Sequence, residues 1–138
     1  MIILEDIWKI IKLLFSCNWR RRKVLKEVLK KLKELNILIR PFGVEEEELY
    51  ENNKECIVYN YAPVAESNRF RLDIRIISKD LERCLEIRTL MEELLKGEGD
   101  IVKVPKCTSI IFEGGASARD LETKTVHLIF SISLVGHK

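Results

Sequence analysis

The sequence predicts an α+β domain: a mostly antiparallel sheet, a long helix over about residues 79–96 packed on one face, and an N-terminal helical region. Three observations lead there. Phe70, Leu72, Ile74 and Ile76 alternate with Arg69, Arg71, Asp73 and Arg75, the period-two pattern of a strand with one buried face. Val126, Leu128, Phe130, Ile132 and Leu134 repeat that alternation further on. Between the two runs, apolar residues after Ser78 recur at spacings of three and four, which is a helix face.

Leu4, Ile7, Trp8, Ile11, Leu14 and Phe15 open the chain at helical spacing. Val24, Leu25, Val28, Leu29, Leu32 and Leu35 continue that spacing and end near Asn36. Residues 4–35 fit one helix or two, with Asn18 as a possible cap. A helix starting there would crowd Arg20 to Lys23 at its positive end, which a continuous helix or an anionic partner would relieve. "NILIRPF" is a short strand stopped by Pro41, which cannot donate to a ladder. "CIVYNYAPV", residues 56–64, is β-branched and aromatic and forms a hairpin with 69–76 across the turn "AESN".

Ser78 is the expected N-cap of the long helix, with Asp80 in its first turn and Gly97 as its left-handed stop. Leu81, Cys84, Leu85, Ile87, Met91, Leu94 and Leu95 make its apolar stripe. The helix should be about 27 Å long at 1.5 Å per residue. "DIVKVPKC" and "TSIIFEG" are expected as short strands, "GGASARDLET" as a glycine-rich loop, and 124–136 as the closing strand. His127 reads there as an out-of-phase or edge residue. Ile129 on the polar side of that strand implies that the outer face is partly covered.

Size and composition bound the rest. The chain has 138 residues, 46% of them hydrophobic and 33% charged, enough for one domain with a core that needs no staples. We read 1–138 as that single domain, with 1–36 as its helical region and 37–138 as its α+β core. The net charge is +2, yet residues 20–33 hold eight Lys or Arg against one Glu, and Glu45, Glu46, Glu47 and Glu48 form an unbroken acidic run. The apolar stretch at the N-terminus is interrupted by Glu5, Asp6, Lys9 and Lys12, so neither a signal peptide nor a membrane span is expected. Cys17, Cys56, Cys84 and Cys107 show no CxxC spacing, which argues against zinc and for a reducing compartment.

Chemistry is hard to assemble from these residues. A triad would rest on His127 alone, since the only other histidine is His137. "EGGAS" lacks the spacing of a phosphate loop and is not followed by a helix. The glutamate run has neither the spacing nor the central glycine of a calcium loop. The expectation is therefore no enzyme, no cofactor and no metal. The basic segment 19–35, with Trp19 at its start, supports a second reading as a nucleic-acid-binding or regulatory module that tracks phosphates by charge.

The order "CIVYNYAPVAESNRFRLDIRIISKDLERCLEIRTLMEELL" followed by "IIFEGGASARDLETKTVHLIFSISLV" resembles the tail terminator proteins of long-tailed bacteriophages and phage-tail-like particles. These are also called tail completion, head-tail joining or minor capsid proteins. The resemblance covers residues 37–138; the basic RRRK segment has no counterpart in it. It implies a virion structural protein that forms a homo-oligomeric, typically hexameric, ring. The ring would cap the tail tube at the tail-head junction, after assembly in the host bacterial cytoplasm. The implied partners are the tail tube protein, the sheath, and head connector or collar proteins, with DNA contact only if a surface faces the lumen and no membrane contact.

A ring needs two unlike, complementary patches on each subunit. The candidates are the basic Arg20, Arg21, Arg22 and Lys23, the acidic Glu45 to Glu48, the charged strand face of Arg71, Asp73 and Arg75, and the loop residues Gly114, Gly115, Arg119 and Asp120. For the strand face, contact with a neighbour or the lumen and simple solvation both remain open, because an antiparallel sheet commonly leaves one face in water.

Overall fold

Residues 69–78, whose alternation gives them one buried face, form the central strand of the sheet. The computed structural model describes residues 23–43, 55–63, 69–96, 102–105, 107–121 and 124–136. Its strands are β1 (Leu38–Pro41), β2 (Cys56–Pro63), β3 (Arg69–Ser78), β4 (Cys107–Asp120) and β5 (Thr125–Gly136). They lie side by side in the order β1-β2-β3-β5-β4. β3 is antiparallel to both of its neighbours, and β4 is antiparallel to β5. β1 runs parallel to β2, so the sheet is mixed, which corrects the expectation of a mostly antiparallel one. A four-residue strand ending in proline carries no sequence mark of its direction.

Because partners across a ladder share a face, the register sorts the side chains. Ile57, Tyr59 and Tyr61 of β2 stand beside Ile76, Ile74 and Leu72 of β3, and these in turn stand beside Leu128, Phe130 and Ile132 of β5. Phe70, Leu72, Ile74 and Ile76 are each no more than 1% exposed. At about 25 cal/mol per Å² of apolar surface removed from water, this layer supplies the main folding drive.

Among the described residues, two helices cover this face. Residues 23–32 form α1, whose Val24, Val28 and Leu32 join the core cluster. α1 tightens into a 3-10 turn at Lys33–Leu35, and Asn36 ends it in the left-handed region at φ 56°, as the spacing predicts. Asn36 donates its backbone N–H to the Lys33 carbonyl at 3.2 Å. Residues 1–22 lie outside the described residues, so the one-helix or two-helix question does too.

α2 spans Leu81–Lys96, about 24 Å at 1.5 Å per residue, shorter than expected. Its cap is Asp80, not Ser78: the Arg83 N–H donates to Asp80 Oδ1 at 2.8 Å, three residues into the helix where an N-cap accepts. Ser78 is still paired with Val126 in the ladder, fully buried, and its hydroxyl has no hydrogen-bond partner. Only Cys84, Ile87, Met91 and Leu95 of α2 are buried. Leu81 and Leu85 are 41% and 46% exposed, because the sheet covers a narrower arc than the leucines occupy. At the other end of α2, the Lys103 N–H donates to the Leu95 carbonyl at 2.9 Å; the expected stop at Gly97 lies outside the described residues.

The largest departure is β4. The sequence divides this region into short strands and a glycine-rich loop, whereas Cys107–Asp120 is one continuous strand and residues 102–105 are irregular. Two bulges, between Cys107 and Ser109 and between Phe112 and Gly115, take up the irregularity. Gly115 serves close approach here: a Cβ on it would collide with the Ile129 carbonyl and stand 2.8 Å from Phe130 Cα. A loop signature in composition was therefore a packing requirement.

Candidate functional site

The face of the sheet away from the helices carries the charged side chains that the alternation sets apart. Arg71, Asp73 and Arg75 of β3 stand beside Ser133, Ser131 and Ile129 of β5. Asp73 is the hub. Its Oδ1 lies 3.0 Å from Arg71 Nε and accepts the Ser131 hydroxyl at 2.9 Å. Arg71 and Asp73 remain 48% and 36% exposed, so water screens the pair and it contributes about 0–1 kcal/mol. Ser133 similarly donates to Glu113 Oε1 at 2.8 Å, which fixes the Glu113 carboxylate over the same face.

The face is graded. At one end Cys56, Val58 and Ile77 form a small buried cluster with Leu38 packed against it. Next to them His127 is only 8% exposed, on the same side as Ile129 and in phase with it, with its Nε2 3.2 Å from Thr125 Oγ1. Ile129 itself is 37% exposed. Partial cover of this face, as Ile129 implied, is thus observed at the Cys56 end.

Arg75, His127 and Ile129 line a shallow concavity of about 500 Å³ together with Arg119, Asp120 and Leu121. Leu121 stands 80% exposed at its rim. Asp120 pairs with Thr125 on this side of the sheet, whereas Arg119 pairs with Val126 and reaches the concavity from the edge. Three of the sequence candidates, Arg75 from one segment and Arg119 and Asp120 from another, therefore converge on one depression. Asp73 and Arg71 sit two and four residues from Arg75 along the same face of β3. Gly114 and Gly115 lie in the edge strand, where they shape the backbone.

The remaining candidates divide. Arg20, Arg21, Arg22 and Glu45 to Glu48 lie outside the described residues. Lys23 begins the described part of α1 and is half-buried. Sequence reasoning missed Glu113, Ser131 and Ser133 as partners of the charged face. The β5 alternation would have found the two serines, since it puts them opposite the buried run; nothing in the sequence marks Glu113, whose position depends on the bulge.

The helical side ties this face down. Arg83 bridges from α2 to Glu55, with Nε 2.7 Å from Oε1, and to Glu86 at 3.1 Å. The Glu55 and Glu86 hydrogen bonds hold its guanidinium above the usual arginine range. Arg88 lies with its guanidinium 4.9 Å from the Phe130 ring centroid and donates to the Glu113 carbonyl at 3.3 Å, which latches α2 to the bulge. Its Nε stands 3.3 Å from Glu92, but without hydrogen-bond alignment, so the contact is coulombic.

As to chemistry, burial raises the thiols of Cys84 and Cys107 above their ordinary value, which disfavours the thiolate a nucleophile needs. Among the described residues no group of three or more His, Cys, Asp or Glu side chains could share a metal ion, and no helix is long and apolar enough to cross a membrane. What the arrangement offers is a wide, charge-patterned surface with apolar points at Ile129, Ile111 and Leu121. No family model matches the chain, and no curated protein matches it.

Proposed function

We propose that this chain is a structural subunit of a phage tail or phage-tail-like particle. Copies of it form a ring on the end of the tail tube and join it to the head connector or collar. The observation that carries the reading is the open sheet face, where side-chain bonds hold Arg71, Asp73 and Glu113 and where Arg75 stands beside exposed Ile129. Oriented charge around apolar anchors suits a protein partner, because complementarity of charge sets specificity while buried apolar side chains supply affinity. The segment order 56–136 that resembles tail terminators supports the same reading.

A second reading has one observation in its favour: Lys26, Lys30 and Lys33 are exposed along α1 and its terminal turn, a phosphate-tracking pattern. Electron microscopy separates the two. Tails lacking their terminal ring, incubated with the purified protein, should gain a closed ring at one end. The Arg71→Ala, Arg75→Ala double variant should fold normally and fail to cap. Uncapped tails, combined with salt-sensitive retention of duplex DNA by the same protein, would overturn the proposal in favour of nucleic-acid binding.

A further inference from the structure

The longest strand, β4, lies at one edge of the sheet, and its free side is unusual. Residues 113–119 are all exposed, and Gly114, Gly115, Ala116, Ser117 and Ala118 among them carry neither charge nor bulk. Protein edges are ordinarily blunted by lysine, proline or brevity, because a row of unpaired N–H and C=O groups accepts any second strand. The other edge, β1, is short and ends in Pro41, yet its side chains are incompletely covered. Ile37, Leu38 and Ile39 are only partly covered, Phe42 is 63% exposed, and among the described residues Arg40 donates only to the adjacent Ile39 carbonyl, at 3.3 Å.

We propose that β4 of one copy pairs with β1 of a second copy, so that the sheets of neighbouring copies run on as one. This rests on the ring reading, since a ring whose two rims meet different partners needs a head-to-tail contact and not a two-fold one. Strand direction agrees. β1 parallels β2, β3 opposes β2, β5 opposes β3 and β4 opposes β5. When copies are placed side by side in one orientation, β4 therefore meets β1 antiparallel, with the helices of both on one side.

Face parity then fixes the register, because a one-residue slip exchanges the two faces. Leu38 and Arg40 share the side of Cys56 and Val58, which is the charged side, and Ala116 shares it through Ile129. Leu38 stands opposite Ala116, and Arg40 stands opposite Gly114. That sets the guanidinium of Arg40 beside Glu113, which faces the same side through its bond to Ser133.

Cross-linking tests this directly, in a background with Cys17→Ser; the cysteines at 56, 84 and 107 are buried. Arg40→Cys and Gly114→Cys proteins, mixed on ring-forming tail ends under mild oxidation, should form a covalent dimer that neither variant forms alone. A Cβ at Gly114 meets nothing within 4 Å, so its variants keep the fold. Gly114→Lys, set against Arg40, should abolish the association, and Gly114→Glu should preserve it; equal loss in both would overturn the proposed register. A dimer of Gly114→Cys alone would mean two-fold β4–β4 pairing and would overturn the inference and the ring together. Rings that assemble with no 40–114 cross-link would overturn only the inference, and absence of both would overturn the ring reading as well.

Discussion

Alanine at Gly115 and alanine at Gly114 should behave in opposite ways, though the residues are adjacent. At Gly115 the new Cβ meets backbone: it collides with the Ile129 carbonyl oxygen and would stand 2.7 Å from the Ile129 carbonyl carbon. Neither atom can rotate away, so β4 must lift from β5. Forcing added volume into a packed site costs about 2–3 kcal/mol. At Gly114 nothing lies within 4 Å and no positive φ is required, so alanine should stabilise by about 0.4–1 kcal/mol through the unfolded chain. At about 4 °C per kcal/mol for a chain of this size, Gly115→Ala should melt about 8–12 °C lower and Gly114→Ala a few degrees higher. Circular dichroism melts, with urea titration as a check, measure both. If both variants melt within 2 °C of the parent (a margin of about 0.5 kcal/mol), the segment is a loop after all and the strand assignment fails.

Further expectations follow from the same contacts. Leu72→Ala or Ile74→Ala should cost about 2–4 kcal/mol, while Arg71→Ala and Arg75→Ala should change stability by less than about 1 kcal/mol; equal losses in urea titrations would contradict the face assignment. Asp80→Ala should cost about 1 kcal/mol as a lost cap, whereas Ser78→Ala should be neutral or stabilising, because it removes a buried hydroxyl without a partner. The reverse order in thermal melts would restore Ser78 as the cap. Cys84 and Cys107 are raised above the ordinary value of 9.0 by burial, so the folded state holds their protons longer than the unfolded state does. The stability they contribute is fully present below about pH 9 and falls as pH rises through the folded values. A urea midpoint that climbs between pH 9 and 10 would refute that sign.

How much of this was legible in the sequence depended on whether a local pattern had a single structural solution. The β3 alternation did: Phe70 to Ile76 are buried and Arg71 and Asp73 stand opposite, as the period-two spacing predicts. The Val24, Val28, Leu32 spacing and its end at Asn36 were equally plain. β4 was not, because Gly114 and Gly115 spell a loop unless one knows that β5 runs close behind them. The parallel β1 was hidden because direction is a tertiary property. The concavity of Arg75, Arg119 and Asp120 depends on β5 lying between β3 and β4, an order that no local window contains. The helix stripe was overread, since seven apolar residues fit the spacing while four are buried.

The position of β5 has a consequence for how the molecule is made. β5 follows β4 in the chain yet lies between β4 and β3, and its Ser131 reaches Asp73 across fifty-eight positions. A chain leaving the ribosome therefore carries β3 with an open flank, and β4 with no neighbour at all, until residues 125–136 emerge. The β4–β5 hairpin can close quickly, in microseconds by general timescales. Its docking onto β3 is the long-range step, and topology of this kind slows folding. During that interval the apolar row Phe70 to Ile76 has no strand on one side, and a nascent or truncated chain is then most exposed to misassembly.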